Sequence, residues 1–158
     1  MFKLNKMTDY AVVMMAELAR GGDAGGACPG GSVVTAQRLA EASAVPQPTV
    51  AKLLKQLAQA GLMESQRGAQ GGYRLARDAS EISVAEIIAA VEGPIALAAC
   101  VDDSTDQCGV LSLCAMAGHW EMVNAAVRAA LEGVTLADMM ARPVDFRPPF
   151  EPVPVAAH

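Results

Sequence analysis

The chain has 158 residues and a formal net charge of −5, and it is 53% hydrophobic but only 4% aromatic. That length excludes two ordinary domains, and a core restricted mainly to Ala, Leu, Val, Ile and Met favours packed helices over a large sheet. No apolar run is long enough to span a membrane, and no cleavage pattern follows the early run at 11–16, so the expected compartment is the reducing cytoplasm.

In chain order, a first helix is expected over residues 8–18, with Thr8 as its N-cap and Ala11, Met14, Met15 and Leu18 on one face. Residues 20–32 are rich in glycine and carry Pro29, which predicts a loop. Thr35 should cap a short helix running through Ser43 with Leu39 and Ala40 inward. A second helix opens at Pro46-Gln47-Pro48, presents Val50, Leu53, Leu54 and Leu57 as one stripe, and stops at Gly61. Two short helices joined by Ala44-Val45 are the pattern of a helix-turn-helix.

Residues 62–66 and 73–76 read as short strands around the glycine-rich turn Arg67-Gly68-Ala69-Gln70-Gly71-Gly72. The turn leads into a strand rather than a helix and its glycine spacing is wrong for a nucleotide loop. Ser83-Val84-Ala85-Glu86 is a capping box opening a helix that ends at Gly93-Pro94. A long helix is expected over 116–131, with Trp120, Val123, Val127 and Leu131 on one face, and Thr135 caps a last turn. Five prolines from Pro143 onward predict an extended tail. The fold class expected is mainly α with a small β-wing: a winged helix-turn-helix followed by a long C-terminal helix. The expected division is 1–92 for the winged module, 93–118 for a cysteine-bearing loop, 119–142 for the long helix and last turn, and 143–158 for the tail.

The negative net charge hides a polarity. From residue 33 to 77 there are six cations and two carboxylates, whereas from 78 onward there are twelve carboxylates and three arginines. A basic module on an acidic remainder is an electrostatic footprint for nucleic acid. On the second helix of the pair, Gln47, Thr49, Lys52, Lys55 and Gln56 lie off the apolar stripe and can address bases or phosphates in a major groove. Arg67 at the wing can enter a minor groove, and Gly71 and Gly72 let the backbone approach closely. Either lysine alone would be an ordinary solvated face. The order, two helices and then a wing with positive charge on both, points to a double-stranded DNA operator.

Cys100, Cys108 and Cys114 fall in CVDDSTDQCGVLSLC, a polar stretch before the long helix. Clustered thiolates suit iron or zinc, and His119 completes a Cys₃His set of zinc type. A cysteine hydrolase using Cys114 and His119 is disfavoured, because no Asp or Asn is evidently placed to orient the histidine.

Met7-Thr8-Asp9-Tyr10-Ala11 and Ser65-Gln66-Arg67-Gly68-Ala69-Gln70-Gly71-Gly72-Tyr73-Arg74-Leu75-Ala76 resemble the Rrf2 family of bacterial repressors, with the likeness extending over residues 1–140. That family includes iron–sulfur and nitric-oxide sensing regulators. The resemblance implies a homodimer paired through the long helix and no enzymatic activity. It further implies an iron–sulfur cluster (2Fe-2S or 4Fe-4S) held by Cys100, Cys108 and Cys114. The fourth ligand stays open between Asp9 of the partner subunit, His119 and another group. Resemblance also implies control of iron–sulfur assembly genes, against the alternative of a thiol- or zinc-dependent redox repressor without a cluster. The glycine-rich loop around Cys28 and the proline tail depart from the family pattern, and Cys28 is read as a bystander thiol.

Overall fold

The computed structural model describes residues 4–22, 33–68, 71–101, 109, 114 and 118–141. Cys28, Cys108, the middle of the wing turn, the start expected for the long helix and the proline tail lie outside them. In order, the elements are α1 (Lys6–Gly22), α2 (Ala36–Ser43), α3 (Gln47–Gln59), β1 (Met63–Gln66), β2 (Gly72–Leu75), a 3-10 turn (Ala79–Glu81), α4 (Val84–Glu92), α5 (His119–Glu132) and α6 (Leu136–Met140). This is the expected class, helical with a two-stranded antiparallel sheet.

The core forms where the apolar stripes meet. Met14 and Met15 of α1, Leu39 of α2, Val50, Leu53 and Leu57 of α3 and Ile87 of α4 are fully buried. Each such side chain contributes about 1.5–3 kcal/mol of burial, and α1 is a central strut touching α2, α3, α4 and α6. Leu136 of α6 is also fully buried, and its N–H donates to the Ile82 carbonyl at 2.8 Å. The chain therefore returns after α5 to the base of α4.

Three elements differ in their bounds from expectation. Helix α1 starts two residues before Thr8 and runs through Gly21 and Gly22. The Asn5 side chain accepts from the Met7 N–H at 3.2 Å, and the Asn5 carbonyl accepts from Thr8 N–H at 3.0 Å. Thr8 is not a cap: it is buried, and its hydroxyl donates to the Glu92 carboxylate at the end of α4. Strand β1 is a residue shorter, at Leu62, and β2 keeps its length but is shifted by one residue, from 73–76 to Gly72–Leu75. Tyr73 exchanges two backbone hydrogen bonds with Val34, at 2.8 and 2.9 Å, so the segment before α2 forms a third edge of the wing.

The capping residues behave as local chemistry dictates. Thr35 accepts from Arg38 N–H, and Ser83–Glu86 forms a reciprocal box. Thr135–Asp138 forms a second. Helix α5 is packed differently from the rest. Asn124 is its one buried residue, while Trp120 and Val123 are each 45% exposed and Val127 and Leu131 are half-buried.

Candidate nucleic-acid interface

The reader helix is set by the tight reversal before it. Ala44 adopts a left-handed conformation (φ 54°), which costs a non-glycine residue about 1–2 kcal/mol. Burial of Val45 immediately after offsets that strain, and Pro46 starts α3 with its carbonyl accepting from Thr49 and Val50. The apolar stripe of α3 then faces the core, and the opposite side faces solvent.

Gln47, Lys52 and Lys55 are exposed on α3 and Thr49 is half-buried. Gln59 is exposed four residues beyond Lys55, hence on the same face; it is a further polar side chain there that the sequence pattern did not single out, although the i, i+4 spacing was there to find it. Gln56 departs from its expected role as an outward base contact. Its Nε2 donates to the Val91 carbonyl in the last turn of α4 at 3.5 Å, and its Oε1 is buried. The reason is geometric: at about 100° per residue, Gln56 sits on the border of the stripe nearest α4.

In the wing, β1 and β2 pair Glu64 with Arg74 directly opposite, and the guanidinium holds the carboxylate at 2.6 Å. Arg67 follows β1 and is exposed. Gly72 is required by the protein's own backbone: a Cβ there would lie 2.5 Å from the Val34 carbonyl oxygen. Gly71 is equally confined, since a Cβ on it would lie 2.6 Å from the Gln66 carbonyl oxygen. Both glycines thus serve the close packing of the wing on the 33–34 segment and on its own turn.

The ion pairs sharpen the charge pattern. Arg74 is taken by Glu64, and Arg77 by Glu86 at 2.7 Å. Among the described residues Arg38, Lys52, Lys55 and Arg67, together with Lys6 at the start of α1, have no carboxylate partner. The unneutralised positive charge therefore concentrates on α2, the outer face of α3 and the start of the wing turn. Partial burial pushes the Glu86 carboxyl up, but hydrogen bonds from Arg77 and Ser83 outweigh it and hold the carboxyl below its ordinary range.

The thiols lie beyond α4. Cys100 and Cys114 are both unpaired and half-buried. The segment carrying Cys100 is held by two anchors, Val101, which is buried, and Leu97, whose N–H donates to the buried Asn124 Oδ1 of α5 at 3.0 Å. His119 is exposed at the first turn of α5, and Asp9 is exposed in the first turn of α1. Among the described residues no three His, Cys, Asp or Glu side chains form a group that could hold a metal ion. Cys100 lies on this anchored segment, and the half-buried Cys100 and Cys114 thiols, with Cys108 between them in sequence, are soft donors of the kind an iron–sulfur cluster takes. No helix among the described residues is long and apolar enough to cross a membrane.

The profile of the Rrf2 family, described as iron-dependent transcriptional regulator, matches residues 4–142. The HTH-type transcriptional regulator NsrR of Bacillus subtilis (strain 168) is 26% identical over 138 residues, covering 87% of this chain and 90% of that protein. Among solved structures, IscR of T. potens superposes with a TM-score of 0.60 at 30% identity, covering 88% of this chain and 86% of that one. CymR, the global cysteine regulator of B. subtilis, superposes with a TM-score of 0.63 at 26% identity, covering 89% of this chain and 97% of that one.

Proposed function

The chain belongs to the Rrf2 family of helix-turn-helix transcriptional regulators, and from that premise we propose that it is a homodimeric, iron–sulfur-responsive repressor whose operator affinity is set by the 100–114 cysteine segment. As a winged-helix regulator it is a DNA-binding protein and not an enzyme. The observation that carries the finer reading is the anchoring of Cys100 between the reader module, through α4, and α5, through Asn124.

In this reading the winged module is 1–92, the cysteine loop 93–118, the dimer element 119–142 and the tail 143–158. Gln47 and Thr49 address base edges at the N-terminal end of α3, while Lys52 and Lys55 neutralise phosphates. Arg67 enters the adjacent minor groove, and Gly71 and Gly72 keep the wing backbone close to the module. The exposed Trp120 and Val123 with Val127 and Leu131 pair with the same stripe of a second copy, which spaces the two reader helices for successive major grooves. Cys100, Cys108 and Cys114 would hold a 2Fe-2S or 4Fe-4S cluster, which supplies a centre sensitive to iron supply, oxygen or nitric oxide. The fourth ligand in this reading is Asp9 of the partner subunit, His119 or another group. The regulated genes in this reading are those of iron–sulfur assembly, and the site of action is the cytoplasm.

Oxygen-free purification of the full chain should give a brown dimer with visible charge-transfer absorption, and its DNA affinity should change when the cluster is removed. A colourless dimer whose DNA affinity responds only to zinc or to thiol oxidation would favour the second reading, a zinc- or thiol-dependent repressor. The similarity to the cysteine regulator CymR is the observation behind that alternative.

A further inference from the structure

The end of α4 is a junction at which three helices are tied to one short stretch of chain. From α3, the Gln56 Nε2 reaches the Val91 carbonyl at 3.5 Å. From α1 and the residue that precedes it, the Thr8 hydroxyl and the Asn5 N–H (2.9 Å) both donate to the carboxylate of the next residue, Glu92. From α5, Asn124 accepts from Leu97 N–H at 3.0 Å. Between these ties sits Gly93, at φ 96° and ψ −172°, with open space around its Cβ position. That backbone region is essentially reserved for glycine, so the direction in which the chain leaves α4 toward Cys100 is turned at one residue.

Gln56 is the only tie in this set that belongs to the reader helix, and its hydrogen bonding is incomplete. The Val91 carbonyl can only accept, so the amide must present Nε2 to it. This leaves Oε1 buried without a partner among the described residues. A donor at the long end of hydrogen-bond range beside an unsatisfied acceptor is a contact whose worth changes steeply with small movements of the α4 terminus. Such a contact is poorly suited to clamping α3 and well suited to transmitting a shift. We propose that Gln56 is a positioning residue: through the Val91 carbonyl it makes the pose of the reader helix depend on how the 93–101 segment leaves α4. The inference rests on the proposed sensing by the cysteine segment and adds the residue through which that state reaches DNA.

The test uses the full-length protein and a duplex selected from a randomised pool by the metal-free wild type. Affinity for that duplex is measured metal-free and after oxygen-free reconstitution with ferrous iron and sulfide, for wild type, Gln56→Met and Gln56→Glu. The pool selection is also repeated with each metal-free variant. Both replacements are close in size to Gln, so if one fails to fold the other supplies the same readouts. Expected is a wild-type affinity ratio between the two states of about tenfold or more, reduced to within about twofold in either variant, with the selected sequence unchanged. A variant that keeps the wild-type ratio overturns the proposal, and one that selects a different base while keeping the ratio assigns Gln56 to base reading instead. A wild type with no difference between the states removes the sensing reading itself, an outcome distinct from the other two.

Discussion

Asn124 of α5 and Leu97 of the cysteine-bearing segment are joined by a single hydrogen bond of 3.0 Å, in which the buried carboxamide oxygen accepts the backbone N–H. The asparagine is 2% exposed on a helix whose other residues are exposed or half-buried. It thereby fixes the course of the chain before Cys100. Asn124→Ala would leave the Leu97 N–H without its partner. We expect a loss of about 1–3 kcal/mol in urea unfolding, together with faster loss of any metal held by the thiols; unchanged stability would mean that water replaces the amide without cost.

Arg67 is exposed at the start of the wing turn with no carboxylate beside it among the described residues. Arg67→Ala should weaken DNA binding and lower the slope of log affinity against log salt by up to about 0.9, as one cation in the minor groove no longer displaces a counterion. Metal content should not change. Cys108→Ala should do the reverse, lowering iron content while leaving metal-free binding to a fixed duplex intact. Equal affinities and equal salt slopes for Arg67→Ala and wild type would place the wing away from DNA.

Gly72 has no room for a methyl group, because the Val34 backbone oxygen and the Val33 side chain would stand 2.5 and 2.8 Å from it. Gly72→Ala should therefore displace the 33–34 edge from β2 and cost about 1–3 kcal/mol as an overpacked site does. Amide exchange should show it as lost protection at Val34 and Tyr73, whose mutual hydrogen bonds hold that edge.

Glu86 closes the α4 capping box and receives Arg77, and these bonds hold its carboxyl below the ordinary value of 4.5 despite partial burial. A carboxyl depressed in the folded state stabilises the fold above its unfolded value, and this stabilisation is lost as pH falls through the lower folded value. Glu86→Gln should be less stable than wild type at pH 7 by about 0.5–1 kcal/mol, a modest figure because the pair is partly solvated. The gap should close on acidification below 4.5. A gap that persists unchanged in acid would attribute the effect to packing rather than charge.

Much of this architecture is legible in local pattern. The stripe Val50, Leu53, Leu54, Leu57 specifies α3 and its buried side because helical periodicity needs only neighbours three and four residues away. The Ser83–Glu86 and Thr135–Asp138 boxes likewise close within one turn, and the order of helices and wing with the charge split points to DNA. The thiol cluster is visible as composition, but whether its members converge depends on residues far apart in the chain.

What only the tertiary structure decided is where bifunctional polar groups direct their hydrogen bonds. Thr8 has the composition of a cap, yet a carboxylate 84 positions away takes its hydroxyl, and Asn5 takes up the cap. Gln56 lies four residues from Lys52 and by spacing alone shares its outward face, but the end of α4 packs close enough to draw the amide inward. Gly72 has the character of a residue for approaching DNA, whereas the approach it permits is to Val34. The sequence alone determined helix faces, caps and charge segregation, since these follow from spacings of a few residues. The competing partners for each side chain come from distant segments brought together by burial of the core, and only the folded chain selects among them.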